Sequence, residues 1–422
     1  MACITIFNPS PTAVPLHHSR GNPKMSLPST DPLTTAGRFL WGRSLPPQPL
    51  ITAVRTTWST VWHLMMRQLA PSSSTGSYSR PAGSFPSIDL ALYPPTASLH
   101  LYAALSCPWA HRTLIVRAIK SLEPFLPVSI AAPGPDGPWE FPSSSVHAGD
   151  LVPGPDRANG RRTLRDVYGM RRGGYDGRST VPMLWDVDKR DVACNESYEI
   201  IKFLNSWQRN ADNNDIDLYP SQLQKEIEEW NRIIYPSVNN GVYRCGFAQS
   251  QEAYDEAVNA LFDTLDTLES HLGTNRYLCG DVLTLADVCL FTTLIRFDLV
   301  YYVLFKCTKK KLVEYPNLHS YTRDIYQIPK VAETCNFEAI MDGYFRTLFP
   351  LNPGGIRPAL PSACKPDVLS KPHGRDSVCS NANNSKLLGH ILHQCYNSSR
   401  PDEEYVNNEH EEEQCEHTCL MT

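Results

Sequence analysis

The sequence contains no apolar run approaching the about 20 residues that a helix needs to cross a bilayer, so no spanning helix is expected. It lacks a basic excess: 39 Lys and Arg against 44 Asp and Glu leave a formal net charge of −5, which argues against a nucleic-acid binder. Its 13 cysteines lack the regular spacing of a disulfide scaffold or a zinc ribbon. They read instead as thiols in a reducing compartment. Acidic residues are nearly missing from the first 70 positions, where Asp31 stands alone against Arg20, Lys24, Arg38, Arg43, Arg55 and Arg67. An acid-poor leader containing Arg and Ser has the composition of an organelle transit peptide. An organelle is therefore the expected location, with an untargeted leader and a cytoplasmic protein as the alternative. A compact apolar segment with a clean cleavage site is also missing, which argues against secretion.

One short stretch organises the rest: Ser106-Cys107-Pro108-Trp109-Ala110-His111-Arg112. The apolar run 99–105 predicts a strand leading into it. Pro108 suits a first helical position, where its missing N–H costs nothing and its φ is already helical. Cys107 then falls at the N-cap. Trp109, Ile115, Val116, Ile119 and Leu122 share one helical face, with Arg112, Arg117 and Lys120 expected toward water. A sulfur at a helix start meets unpaired N–H groups and the positive end of the helix dipole, and both favour the thiolate. Strand, Cys-Pro, helix is how a thioredoxin-type fold presents a reactive sulfur; a buried structural cysteine that merely precedes a proline is the plainer alternative. Position 110, where a dithiol redox protein has its second cysteine, is alanine. A disulfide on Cys107 must then be resolved by an external thiol, for which glutathione is the abundant candidate.

Residues 58–69 can form a short amphipathic helix, and 71–85 read as a Ser/Gly/Pro linker. A second strand is expected at 128–131. The Gly-, Pro- and Arg-rich excursion 133–179 is too long for an ordinary connection, which suggests a functional loop. Thr180-Val181-Pro182-Met183-Leu184-Trp185 predicts a strand whose proline fits if it is cis or at a bulge. In thioredoxin-like folds a cis-proline sits beside the reactive cysteine, and the residue before it offers its backbone to the peptide part of glutathione. Asn195 is expected to cap a helix carrying Ile200, Ile201, Leu204 and Trp207 on one face. Glu196 and Ser197 in its first turn suit the ammonium and carboxylate of a γ-glutamyl group, with plain capping as the alternative.

From about 218 the pattern is helical, and Thr284-x-x-Asp287 opens a near-continuous apolar helix over 285–304. The expected fold class is α/β plus all-α: a thioredoxin-like N-terminal domain at 90–210 and a helical glutathione-transferase C-terminal domain at 218–358. A leader at 1–57, an extension and linker at 58–89, and a polar tail at 359–422, expected to be disordered, complete the chain. Cys415, His417 and Cys419 have no second ligand pair at a metal spacing, so no metal is expected.

At this point the chain resembles a family, the glutathionyl-hydroquinone reductases or Xi-class glutathione transferases, and looks most like their plant, plastid-type members. The motifs are Cys-Pro-Trp-Ala-His-Arg at 107–112, Gly-Pro-Trp-Glu-Phe at 137–141, Thr-Val-Pro-Met-Leu-Trp-Asp at 180–186 and Asn-Glu-Ser at 195–197. Val-Asn-Asn-Gly-Val-Tyr-Arg-Cys-Gly-Phe at 238–247, Leu-Phe-Thr-Thr-Leu-Ile-Arg-Phe-Asp at 290–298 and Tyr-Gln-Ile-Pro at 326–329 follow in order. The resemblance covers about 58–358. It implies that Cys107 is the nucleophile and that Trp139, Arg178, Val181 with Pro182, Glu196 and Ser197 contact glutathione. It further implies that Tyr243, Tyr301 and Tyr344 surround a hydroquinone ring, with Tyr243 as proton donor, and that the protein is a homodimer. The implied activity is glutathione-dependent reduction of glutathionyl-hydroquinones through a Cys107–glutathione mixed disulfide, with glutathione as cosubstrate. The alternatives are an omega- or lambda-like thiol transferase or dehydroascorbate reductase and, from another class, a non-catalytic glutathione-fold binding module.

Overall fold

The computed structural model describes residues 46–134, 139–144, 149–207 and 216–378, together with positions 32 and 36. Of the leader expected at 1–57, the residues up to 45 other than 32 and 36 lie outside the described residues, as does the tail beyond 378 with Cys415, His417 and Cys419. The chain divides into two compact units, 1–61 and 62–422. Helix α1 spans Gln48–Leu69, starting earlier than the expected 58. Its early residues contain no breaker beyond Pro49, which a first helical turn tolerates. No helix among the described residues is long and apolar enough to cross a membrane.

The second unit opens with strap 71–85 and then builds a small sheet. Strand β1 is Leu99–Ala103 and helix α2 is Pro108–Ile119. Strands β2 at Val128–Ile130, β3 at Met183–Asp186 and β4 at Asp191–Cys194 are followed by helix α3 at Ser197–Ser206. The sheet order is β2-β1-β3-β4. Leu101 of β1 lies opposite Val128 in the parallel pair and opposite Leu184 in the antiparallel pair. A parallel crossover joined to an antiparallel hairpin is the thioredoxin-like arrangement. Every residue of β1, β2 and β3 is buried, as expected of strands that read as near-continuous apolar runs. Strand β3 begins at Met183 and not at the expected 180, because the Val181–Pro182 peptide is cis and the proline has no N–H for the ladder.

The helical part comprises α4 (Gln224–Ile234), α5 (Gly241–Phe247), α6 (Gln251–His271), α7 (Leu285–Arg296), α8 (Pro316–Tyr326) and α9 (Phe337–Phe345). All of α7 is buried, and a Thr284–Asp287 capping box starts it. Asp287 also accepts the Leu278 N–H and the Tyr321 hydroxyl, so the buried carboxylate is satisfied on several sides. The expected helix 285–304 is interrupted: a wide π turn occupies Phe297–Tyr301, and another lies at Tyr235–Asn239. Each adds a residue to one turn and changes the direction of the side chains beyond it.

Three expectations about solvent exposure are corrected. Arg112, Arg117 and Lys120 are buried, not facing water, because α2 is covered on that side as well. Arg112 donates to Asn239 Oδ1 at 2.8 Å, Arg117 to the Leu126 carbonyl at 2.7 Å and Lys120 to the Ile216 carbonyl at 3.1 Å. The stretch 71–85 is a pinned strap and not a loose linker: Gln249 N–H bonds Gly76 O, while Phe85 and Asn195 exchange two bonds. The segment 359–378, expected to be disordered, carries a short helix at Pro366–Leu369 and buries Arg375. The Arg375 guanidinium donates to the carbonyls of Leu272, Asn275 and Arg276, the unpaired acceptors just beyond α6.

Candidate active site

Cys107 stands at the N-cap of α2 in extended conformation, φ −77° and ψ 120°, directly before Pro108. Its Sγ is 3.6 Å from the Val181 carbonyl oxygen, so the start of α2 and the cis peptide meet at the sulfur. Burial pushes the Cys107 thiol up, while the N–H groups of Ala110 and Trp109 and the charges of Arg80 and Arg296 pull it back. The helix start lowers the thiol as expected from the sequence, but burial opposes it. Of these two opposed effects desolvation is the larger, and the thiol points at the Val181 carbonyl.

Behind this turn sits Arg296, the last residue of α7, fully buried. Its Nε donates to the Ser106 carbonyl at 3.2 Å and its terminal nitrogens to the carbonyls of Leu105 at 3.1 Å and Thr292 at 2.8 Å. It also reaches His111 Nδ1 at 2.9 Å, which must then be an acceptor. The opposite ring nitrogen, Nε2, donates to Thr334 Oγ1 at 2.8 Å. Burial, together with Arg296, pushes His111 well below its usual range, consistent with a neutral ring. The guanidinium has no carboxylate partner among the described residues, so an uncompensated cation holds the two residues that precede Cys107.

A cleft of about 240 Å³ opens at Val181, whose carbonyl meets the sulfur. Trp109, Arg178, Val181, Pro182, Glu196 and Ser197 line it on the α/β side, and strap residues 78 and 80–84 line the other. Helix α3 starts at Ser197 with Glu196 as N-cap, and no side chain caps it. Asn195 is thus not the cap expected from the sequence. Its side chain accepts the Phe85 N–H at 3.0 Å and donates to the Tyr168 hydroxyl at 3.2 Å instead. An uncapped helix start beside Ser197 and Glu196 suits an amino-acid head group, the anion to the N–H groups and the ammonium to the carboxylate.

Trp139 is placed elsewhere. It lies in a two-stranded ribbon opposite Pro133, half-buried against the core and not among the cleft-lining residues. Arg178 is exposed at the cleft edge, whereas its neighbour Arg171 is engaged with Asp191 at 2.9 Å.

The three tyrosines converge. Tyr344 O–H lies 2.6 Å from the Tyr243 hydroxyl and 3.0 Å from that of Tyr301, so one hydroxyl joins all three. Burial raises each phenol above its ordinary value, and for Tyr243 and Tyr301 the Cys107 sulfur adds to the rise. The phenols therefore keep their protons, and Tyr243 and Tyr301 lie within electrostatic reach of Cys107. Helix α9 reaches it because Gly343 packs on Ser106, where a Cβ would overlap the serine side chain. The Trp109 ring stacks 6.3 Å from Tyr243 and connects the cleft to the cluster.

Sequence reading assigns no role to Arg80, Trp109, Arg112 or Arg296. Arg296 had a detectable signal, a lone cation ending an apolar helix. Arg80 had none, lying in a stretch that reads as linker.

A thioredoxin-like sheet with a cysteine at its helix start, joined to a helical part, defines a glutathione transferase. The chain matches the family description "Glutathione S-transferase, N-terminal domain" over 106–207 and "Glutathione S-transferase, C-terminal domain" over 251–324. It is 47% identical over 279 residues to the glutathionyl-hydroquinone reductase YqjG of Escherichia coli (strain K12), covering 66% of this chain and 82% of that protein. The crystal structure of glutathione-S-transferase Xi from Phanerochaete chrysosporium matches with TM-score 0.65 and 40% identity, over 69% of this chain and 95% of that one. The glutathione-bound YqjG structure matches with TM-score 0.60 and 42% identity, over 72% and 95%. The chain belongs to the glutathionyl-hydroquinone reductase, or Xi-class glutathione transferase, family.

Proposed function

We propose that this protein reduces glutathionyl-hydroquinones to free hydroquinones, consuming glutathione and releasing oxidised glutathione. The observation that carries this reading is the place of Cys107 Sγ, 3.6 Å from the carbonyl of Val181, which borders the cleft, and within electrostatic reach of Tyr243 and Tyr301 in a cluster of three joined phenols. Cys107, once deprotonated, attacks the sulfur of the adduct. Tyr243 delivers a proton to the sulfur-bearing ring carbon as a ring hydroxyl gives one up, the carbon–sulfur bond breaks, and its electron pair passes into the departing ring. A Cys107–glutathione disulfide forms. A second glutathione thiolate attacks the glutathionyl sulfur and expels Cys107. The sum is one adduct and one glutathione converted to one hydroquinone and one oxidised glutathione, with ping-pong kinetics. Glutathione fits the residues present: α3 offers free N–H groups for its γ-glutamyl carboxylate, Glu196 suits the ammonium, Val181 presents backbone, and Arg178 stands at the rim. Trp139 can contribute only if its ribbon approaches the bound ligand.

The test is turnover of glutathionyl-menadiol with excess glutathione, beside dehydroascorbate and a mixed-disulfide substrate. Release of menadiol with oxidised glutathione as the preferred reaction supports the reading. Activity confined to dehydroascorbate and disulfides assigns the protein to thiol transfer and returns the tyrosines to a packing role. We further propose a homodimer, a plastid location and kinship with plant members, the last two supported by the acid-poor leader. Sedimentation and the location of a fluorescent fusion test the first two.

A further inference from the structure

The strap 71–85 lines the cleft with residues 78 and 80–84 and is fixed at both ends. At one end Gly76 O accepts the Gln249 N–H, Ser250 Oγ donates to Thr75 O, and Tyr78 packs edge-on against Phe247 at 5.3 Å. At the other, Phe85 is paired with Asn195, and Gly83 approaches Asn195 Oδ1 so closely that a Cβ would lie 2.8 Å away. Between these pins the chain presents Arg80 to the cleft.

Arg80 is half-buried, and its guanidinium carbon lies 4.0 Å from the centre of the Trp109 ring. It has neither a carboxylate nor a hydrogen-bond acceptor among the described residues. The indole N–H of Trp109 beneath it is buried and also has no acceptor. The guanidinium fork and the adjoining N–H, all unused, therefore lie at the Trp109 wall of the cleft, where that ring stacks on Tyr243 and the Arg80 charge reaches both Cys107 and Tyr243. Unpaired donors in such a place are complementary to an anionic oxygen.

We infer that Arg80 is a substrate-binding residue that takes an anionic oxygen of the glutathionyl-hydroquinone. This rests on the proposed function and adds to it. Two oxygens of that substrate qualify. One is the glycyl carboxylate of the glutathione moiety. The other is a ring oxygen: after protonation of the sulfur-bearing carbon the ring is a dienone, and when the carbon–sulfur bond breaks its electron pair flows to the carbonyl oxygen. The resulting phenolate is then protonated to the hydroquinone. A cation fixed at that oxygen would stabilise charge as it develops.

The two half-reactions of the full-length enzyme separate these sources. Rapid mixing of reduced enzyme with glutathionyl-menadiol, without glutathione, reads formation of the mixed disulfide; mixing the preformed mixed disulfide with glutathione reads its resolution. Arg80→Ala is expected to slow the first half-reaction about ten- to a hundredfold, with the melting temperature unchanged. Arg80→Lys, which keeps the charge but not the fork, is expected to recover part of the loss. Resolution at the wild-type rate assigns Arg80 to the ring oxygen. A parallel loss in resolution, with glutathione and its glycyl ester no longer distinguished, assigns it to the carboxylate. Both half-reactions of Arg80→Ala within about twofold of wild type would overturn the inference. Wild-type enzyme that forms no mixed disulfide with glutathionyl-menadiol would instead overturn the functional reading beneath it.

Discussion

On one side of Cys107 the site is made of backbone. The start of α2, the Val181 carbonyl before a cis-proline and the uncapped start of α3 present main-chain groups to the cleft. On the other side it is made of side chains. Tyr243 comes from α5, Tyr301 from a π turn and Tyr344 from α9, and one hydroxyl joins them. The backbone half suits a constant ligand, because main-chain donors at helix starts recognise a carboxylate or peptide whatever it carries. The phenol half suits a variable one, because three rings on three elements make a wall of shape and weak acidity that can receive different aromatic groups. Cys107 stands where the constant part of the substrate joins the variable part.

The largest effect separating the halves comes from the atom they share. Cys107→Ser should lower turnover of every substrate at least about a thousandfold while leaving the circular dichroism spectrum and melting temperature unchanged. Next is Arg296→Met, which leaves the carbonyls of Leu105, Ser106 and Thr292 without their guanidinium donor. A loss of about 3 kcal/mol in urea unfolding is expected, since buried acceptors lose their partner. A variant as stable as wild type would show that the clamp behind Cys107 is dispensable.

Tyr344→Phe then tests the phenol half alone. It removes the hydroxyl shared by Tyr243 and Tyr301 and should cut hydroquinone release about tenfold to a hundredfold, with reduction of a simple mixed disulfide unaffected. Equal losses on both substrates would mean that the two halves are not separate. The smallest effect is on the backbone half. Because burial raises the Cys107 thiol, alkylation of the ligand-free enzyme by iodoacetamide should be slow at neutral pH and climb with pH, with a midpoint above that of a free cysteine. A midpoint below the free value would show that the helix start outweighs desolvation after all.

The same division explains what could be read from the sequence. The backbone half rests on local signals: Cys-Pro at a strand-to-helix switch, Val-Pro before a strand, and Glu-Ser at a helix start, each a few residues long and each with its own physical reason. The sheet and most helices followed from apolar periodicity for the same reason. The phenol half came only from family resemblance, since a tyrosine on an apolar helix looks like core until the packing of α5 and α9 is known. The π turn at Phe297–Tyr301 left no mark in a uniformly apolar run. Asn195 was misread because its side chain serves the strap, a contact spanning more than a hundred positions that no local pattern encodes. The burial of Arg112, Arg117 and Lys120 is hidden in the same way. Cations on a helix read as a wet face unless the elements that cover them are placed first.

The account turns on a glutathionyl group passing to Cys107. Reduced enzyme mixed with one equivalent of glutathionyl-menadiol, without glutathione, then acid-quenched and digested, gives that result directly by mass spectrometry. The account predicts one glutathionyl group on the peptide containing Cys107, formed in step with one equivalent of free menadiol, and neither product in Cys107→Ser. Menadiol released while Cys107 stays unmodified, or released equally by Cys107→Ser, would contradict it.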